Sequence, residues 1–252
     1  MRAAGFRAAL ILAAVPKQSP AQVVTPQVSN TSQALIGLHA VNDRVVWAGG
    51  AGGTFLRTTD GGGNHCALLP TVAQPAADSG EGAPAASGTC VVAKRPGNPW
   101  IGTIGGKPGA RVLRTADRGR SWQSTVTPIG HRAPGSGIFT LVFRDKLRGF
   151  AAGSQDSTQV PTGRIARTID GGRTWRLARD PAFKGTVYGL TTVPGRPRTL
   201  LATGPGGASI SPDDGRSWKP LDAGNYWTIA FASATTGWMV GSRGRIAKVR
   251  LR

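Results

Sequence analysis

The chain has 252 residues, and 39% of them are hydrophobic, enough to build the core of one large domain or two small ones. Its 37 Gly and 18 Pro punctuate it at short intervals, a pattern that favours short strands and turns over long helices. The net charge of +19 favours an anionic partner, such as nucleic acid, anionic lipid or an acidic protein surface, although an arginine-rich surface without any partner would give the same charge.

The first residues have the features of an export signal. Arg2 and Arg7 form a positively charged region before a short apolar stretch over residues 8–15. Residues 19–21 offer the small side chains that a signal peptidase cleavage site requires. The apolar stretch is too short to span a bilayer, and an apolar first strand is the alternative interpretation. The sequence therefore predicts a signal peptide over residues 1–21 and a periplasmic or secreted protein.

The strongest signal is a turn motif that occurs four times, with its aspartates 57, 53 and 43 residues apart. Its pattern is [Ser/Thr]-x-Asp-x-Gly-x-[Ser/Thr]-Trp. We expect the Asp carboxylate to accept backbone N–H groups two or three residues on, the Gly to take a positive φ, and the Trp to bury its indole between neighbouring units. The residues in these roles are Thr58, Asp60, Gly62, Thr115, Asp117, Gly119, Trp122, Thr168, Asp170, Gly172, Trp175, Ser211, Asp213, Gly215 and Trp218.

Short apolar strands and a turn of small residues precede each copy of the motif. Each unit then contains four short strands, with the motif between the third and the fourth, which is the pattern of a propeller blade. The sequence predicts an all-β fold, a β-propeller of about five four-stranded blades. We place the blades at about residues 34–70, 88–128, 137–180, 185–222 and 225–252, within one domain over 22–252.

Both ends of the predicted ring are irregular. The fifth unit has no fourth strand, and we expect residues 22–28 to supply it and close the ring. The first copy of the motif has Asn64 and His65 where the other copies have Ser/Thr and Trp. A five-blade ring, an open partial ring and a chain with an internal deletion all fit this pattern.

The four copies resemble the Asp-box (BNR) repeats of sialidases, sortilin-type receptors and the photosystem II assembly and stability factor family. The nearest resemblance is to bacterial relatives of that last family. It covers the chain from about residue 34 onward, with good local matches at residues 47–60, 100–122 and 237–249. It implies an exported, non-enzymatic scaffold that binds a subunit of a membrane complex in photosynthesis through an arginine-lined surface.

Six arginines recur near one position of the predicted blades, where they would contact an acidic partner. Ordinary solvated strand residues are the alternative interpretation. The six residues are Arg57, Arg114, Arg164, Arg167, Arg243 and Arg245.

Catalysis finds little support in the sequence. A sialidase-like glycoside hydrolase is the enzymatic alternative, but its Tyr–Glu pair would have to come from Tyr188 or Tyr226 with Glu81, the one Glu of the chain. Binding of nucleic acid or another polyanion is the second alternative, without a recognised motif for specific nucleic acid. We expect no catalytic residue, cofactor or metal, and a monomer that can contact membranes peripherally.

The two cysteines offer one structural feature. Once exported, Cys66 and Cys90 can pair and close a loop. Two cysteines cannot form a metal site alone, and the three histidines are scattered along the chain.

Overall fold

The computed structural model describes residues 30–32, 35–40, 44–50, 54–60, 66–68, 73–82, 89–94, 98–130, 135–155, 162–243 and 245–252. Every regular element of more than one residue among these is a β-strand, which confirms the predicted all-β fold. None of the described segments forms a helix with the length and apolar character needed to cross a membrane. The predicted signal peptide over 1–21, the predicted closing strand over 22–28 and Gly62 lie outside the described residues.

Sheets 1 and 2 each contain four antiparallel strands in chain order. Sheet 1 consists of β1 (Leu35–Ala40), β2 (Val46–Gly50), β3 (Phe55–Thr58) and β4 (Cys66–Leu68). Sheet 2 consists of β5 (Val91–Ala93), β6 (Pro99–Gly102), β7 (Arg111–Arg114) and β8 (Gln123–Val126). In both sheets a copy of the repeated motif, called the repeat turn below, joins the third strand to the fourth.

Sheets 3 and 4 repeat this meander, and sheet 5 has three strands within the described residues. Sheet 3 consists of β9 (Gly137–Phe143), β10 (Gly149–Ser154), β11 (Gly163–Thr168) and β12 (Arg176–Leu177). Sheet 4 consists of β13 (Gly189–Val193), β14 (Arg196–Gly204), β15 (Gly207–Ser211) and β16 (Lys219–Asp222). Sheet 5 consists of β17 (Thr228–Phe231), β18 (Thr236–Val240) and β19 (Ile246–Arg250).

Consecutive sheets pack against one another, and the first strand of each sheet contacts the first strand of the next. Each of the four seams between neighbouring sheets holds its own hydrophobic cluster. The core is therefore divided into layers, and each sheet is stabilised by the neighbours that cover its faces.

The tryptophan of each complete repeat turn lies in the same hydrophobic cluster as an aromatic side chain in the second strand of the preceding sheet. The pairs are Trp47 with Trp122, Trp100 with Trp175, and Phe150 with Trp218. The Trp47 and Trp122 rings meet edge to face, with centroids 6.4 Å apart. The Trp100 indole N–H also donates to the Gly171 carbonyl of the next turn at 2.8 Å. The repeat turns thus fasten each sheet to the one before it.

Backbone hydrogen bonds fasten the sheets at the other end of the strands. The N–H groups at the entry to a sheet donate to carbonyls at the end of the preceding sheet's second strand, as in Ile138 to Thr103, Val187 to Gly153 and Tyr226 to Gly204. Within sheet 3, glycine is also required where the backbones of β9 and β10 approach closely. A Cβ on Gly153 would lie 1.8 Å from the Gly137 carbonyl oxygen.

We predict that Gly153→Ala destabilises the protein by about 1–3 kcal/mol, since the backbone of Gly137 must shift to admit the methyl group. The free energy of unfolding in urea measures this. Gly82→Ala is the matched control, because its Cβ would meet only Ile104 Cγ1 at an ordinary 3.8 Å. Equal losses for the two variants would contradict the close backbone approach.

Candidate functional site

The repeat turns use their carboxylates for local hydrogen bonds. In the fourth copy Asp213 accepts the backbone N–H of Arg216 at 3.1 Å and of Ser217 at 2.9 Å, together with the hydroxyls of Ser211 and Ser217. The acceptor role was predicted, but the donors lie three and four residues on, not two or three. Gly215 has the expected positive φ of 73°.

The second and third copies repeat this geometry. Asp117 accepts the Ser121 N–H at 2.9 Å, and Asp170 accepts the Thr174 N–H at 2.9 Å. The glycines of these turns, Gly119 and Gly172, have φ of 89° and 84°. In the first copy Thr58 donates its hydroxyl to Asp60 at 2.6 Å.

These hydrogen bonds keep the turn carboxylates ionised. The Ser217 hydroxyl and N–H lower the pKa of Asp213 to about 2. Burial opposes ionisation of Asp170, but the hydrogen bonds from Thr174, Thr168 and Arg173 outweigh it and lower that pKa to about 2 as well. A carboxyl with such a pKa is a poor proton donor near neutral pH, so these aspartates are unsuited to act as general acids.

Four of the six predicted contact arginines occupy two different positions in third strands, and the other two, Arg243 and Arg245, precede the third strand of sheet 5. The strand register puts Arg57, Arg114 and Arg167 at one position, directly before the repeat turn. Arg164 and Arg245 lie three residues earlier along the chain in sheets 3 and 5, about 10 Å away at the usual strand rise.

The arginines at the earlier position have partners. Arg164 forms an ion pair with Asp180, and the Arg245 guanidinium lies 5.9 Å from the centroid of the Tyr226 ring. Arg243 stands in the loop before β19 with φ of 57°. Among the described residues, only the position next to the repeat turn therefore recurs as a set of three arginines without an ion pair.

At three seams the arginine before a repeat turn lies near an arginine of the next sheet's turn. The pairs, called the seam arginines below, are Arg57 with Arg118, Arg114 with Arg173, and Arg167 with Arg216. The turn arginines were absent from the sequence prediction. Their signal was available in the variable positions of the motif, which hold Arg in three copies.

Two seams show the electrostatic consequence of this arrangement. Burial, followed by the charge of Arg118, lowers the pKa of Arg57. Burial and the charge of Arg173 lower the pKa of Arg114, while Asp170 acts in the opposite direction. Like charges held this close favour an anion between or beside them.

The third seam carries two surface depressions. Arg167 lies between two depressions, one of about 370 Å³ lined also by Ile169 and one of about 260 Å³ lined also by Leu177 and Arg216. Ile169 is 72% exposed and Leu177 is 52% exposed. This seam offers cationic and apolar contacts side by side.

The recorded partners of Glu81 do not include either tyrosine. It is paired with Arg111, whose Nε donates to it at 2.8 Å, and it accepts the Asp78 N–H at 2.9 Å. Burial opposes its ionisation, but these bonds keep the pKa of Glu81 below its ordinary value. Tyr188 instead stacks on Trp227 with centroids 4.9 Å apart. Tyr226 has Asp222 and Arg245 as its polar partners.

Cys90 is a free, buried thiol, and burial raises its pKa to about 11. Its side chain belongs to the cluster between sheets 1 and 2, so this structure does not support pairing with Cys66, whose side chain lies outside the described residues. Among the described residues no group of His, Cys, Asp and Glu could hold a metal ion.

Comparison with solved structures identifies the architecture. YCF48 from Cyanidioschyzon merolae superposes with a TM-score of 0.58 at 16% identity, covering 90% of this chain and 69% of its own. The WD40 β-propeller domain of Doa1 gives 0.55 at 14% identity, covering 89% of this chain and 68% of its own. The chain is a β-propeller.

The comparisons support the fold and no finer assignment. A protein of unknown function from Dyadobacter fermentans also superposes on this propeller, with a TM-score of 0.53 at 13% identity, covering 86% of this chain and 75% of its own. No protein-family model and no curated protein matches the sequence. Function has to be inferred from the sites that the propeller carries.

Because the repeat-turn aspartates are ionised, we predict that their contribution to the free energy of unfolding is lost at acid pH. The folded-state pKa of Asp213 is about 2 and its ordinary value is 3.8, so its contribution to stability is complete above about pH 4 and is lost as pH falls through 2. In urea unfolding, the difference between the protein and Asp213→Asn should be constant near neutral pH and shrink between about pH 4 and 2.

Ser209→Ala is the control for that measurement. It removes a hydroxyl that accepts the Ala182 N–H at 3.0 Å and removes no titrating group. Its effect should not change across the same pH range, and a constant effect of Asp213→Asn would contradict the assignment.

Proposed function

We propose that the protein is a non-enzymatic, exported scaffold that binds an acidic segment of a protein partner through the seam arginines. The partner class is an acidic protein or a subunit of a membrane complex. The protein acts as a monomer in the periplasm or outside the cell, and its positive charge permits peripheral contact with anionic membranes.

The observation on which this proposal rests is the recurrence of like-charged arginine pairs at three consecutive seams. A pair of cations from two different sheets is unfavourable unless an anion compensates it. The arginine side chain is suited to this role, because its planar fork binds carboxylates in a bidentate way. A row of such pairs fits an extended segment with several carboxylates better than it fits a single small anion.

The acids near the seam arginines are already engaged. Asp170 is bonded within its turn, and Asp214 forms an ion pair with Arg144. Asp170 still acts on Arg114, but burial and the charge of Arg173 outweigh it, so this carboxylate compensates the arginine only in part. The net charge of +19 is consistent with this excess of cations.

Two further points support this assignment over a hydrolase. Glu81 is committed to Arg111, and neither tyrosine has it as a partner. The propeller fold, which YCF48 shares, is the fold that the sequence resemblance to the photosystem II assembly and stability factor family implies. The hydrogen-bonded turns support their identification as Asp-box repeats within this proposal.

Binding of a fluorescein-labelled peptide of alternating Glu, Leu and Ala tests the proposal by anisotropy. The triple variant Arg57→Gln, Arg114→Gln, Arg167→Gln should bind about tenfold more weakly, since exposed charge pairs contribute roughly 0.2–1 kcal/mol each. Glutamine keeps most of each side chain, so the folded state should survive, and circular dichroism checks this.

A control triple variant distinguishes binding at the seam arginines from attraction to the overall positive charge of the protein. Lys184→Gln, Arg196→Gln and Lys219→Gln remove the same charge outside the seam arginines, and we expect less than a threefold change in the dissociation constant. Equal weakening by both triples would contradict the proposal. Equal affinity for an oligonucleotide of the same charge would favour the polyanion alternative.

A further inference from the structure

We infer that the third seam, between sheets 3 and 4, recognises an acidic segment of a partner protein in which an aliphatic side chain lies beside the carboxylates. This inference rests on the proposed function and deepens it, because it assigns the specificity of the seam arginines to one seam. Both sheets of this seam lie within the described ranges 135–155 and 162–243.

The third seam has an arginine pair within one sheet that the first two seams lack. Arg167 stands directly opposite Arg176 in the hairpin of β11 and β12, so the two side chains share one face of sheet 3. The residues opposite the equivalent arginines of sheets 1 and 2 are Ala67 and Gln123. Like charges directly opposite each other on neighbouring strands are destabilising, so an anion beside them is favoured.

The acids of this seam compensate its cations only in part. Asp170 and Asp214 line the two depressions, but Asp170 is bonded within its own turn and Asp214 is already in an ion pair. The arginines of this seam that form no ion pair with a described residue include Arg167, Arg176 and Arg216. The resulting local excess of positive charge suits carboxylates from another chain.

Two exposed aliphatic side chains flank Arg167. Ile169 borders one of the depressions that Arg167 lines, and Leu177 borders the other. Ile169 lies two residues after Arg167, and Leu177 follows the cross-strand partner of Arg167, so both lie within roughly 7 Å of it from Cα to Cα. One short peptide can therefore contact the arginines and these side chains together.

The repeat itself does not require this pair of aliphatic residues. Sheet 3 alone combines an isoleucine in the turn with a leucine in the fourth strand, whereas the other sheets form the same turn and strand with different residues. The equivalent pairs are Thr59 and Leu68 in sheet 1, Ala116 and Ser124 in sheet 2, and Pro212 and Pro220 in sheet 4. Exposed apolar side chains grouped within a polar rim mark interaction sites.

The chemistry of the occupant follows from these two features. Carboxylates of an extended acidic segment can accept bidentate hydrogen bonds from the arginines, while a neighbouring aliphatic side chain covers Ile169 or Leu177. A nucleic acid could satisfy the arginines, but it would present bases and sugars to the aliphatic side chains. The seam therefore favours a protein segment with both kinds of group.

Two labelled peptides of equal charge, ESELESE and ESESESE, test the inference by fluorescence anisotropy. The protein should bind the leucine peptide about fivefold more tightly, because partial burial of a leucine removes apolar surface from water. The double variant Ile169→Ser, Leu177→Ser should bind the two peptides with affinities within about twofold of each other and keep its affinity for ESESESE. Circular dichroism checks that this variant is folded.

The double variant Val126→Ser, Leu221→Ser is the matched control. It removes aliphatic side chains of 44% and 37% exposure from the outer strands of sheets 2 and 4, and it should keep the full preference for leucine. Arg176→Gln should weaken both peptides alike, by about twofold, because it removes charge and leaves the aliphatic contacts.

The variant Ile169→Cys measures access to the seam. In the free protein its thiol should react with a soluble maleimide as fast as that of Val126→Cys, and ESELESE should slow the reaction several-fold. Mass spectrometry of the modified peptides separates this site from Cys66 and Cys90. A thiol that is already protected in the free protein would mean that the chain covers the seam itself, and would overturn the inference.

The outcomes separate this inference from the proposed function. Equal affinity for the two peptides, with both weakened by the triple variant Arg57→Gln, Arg114→Gln, Arg167→Gln, would overturn the inference and leave the proposed function standing. A leucine preference that survives Ile169→Ser, Leu177→Ser would also overturn it. If neither peptide binds, or if binding ignores the triple variant, the proposed function fails together with the inference.

Discussion

The packing of an indole from one sheet on an aromatic ring of the preceding sheet is the contact on which the rest of the structure depends. Each sheet is too small to bury its own apolar faces, and each of the four seams has its own hydrophobic cluster. The repeat turn positions this indole in the seam. Its aspartate, glycine and hydroxyl groups fix the backbone so that the tryptophan begins the fourth strand in the right direction.

This use of the turn determines which polar groups remain for function. Carboxylates that accept two backbone N–H groups and two hydroxyls are poor proton donors near neutral pH, so the turns they hold explain the conspicuous aspartates. The arginines next to the turns, in contrast, have no ion pair among the described residues. Because each seam brings a third strand against the next turn, cations from two sheets meet at the surface, as Arg114 and Arg173 do. The proposed binding surface is thus a consequence of how the sheets stack.

Much of the fold could be predicted from the sequence, because its repeat is marked by residues with fixed local roles. Short apolar runs also located most strands, although β14 begins at Arg196, earlier than its apolar run indicates, because an antiparallel hairpin extends through polar residues. The site was less predictable. Spacing alone could not show that Arg164 has Asp180 as a partner, that Glu81 is buried beside Arg111, or that Arg118 approaches Arg57. These contacts join residues from different strands, loops or sheets, and the turn motif gives no indication of them.

A double-mutant cycle on Trp47 and Trp122 tests the central contact most directly. The single variants Trp47→Leu and Trp122→Leu and the double variant are compared by their free energies of unfolding. The account predicts a coupling energy of about 0.5–1.5 kcal/mol for this pair. Trp47→Leu combined with Trp218→Leu, whose rings belong to different clusters, should be additive within about 0.5 kcal/mol. Additive effects for Trp47 and Trp122 would contradict the claim that the repeat turns fasten the sheets together.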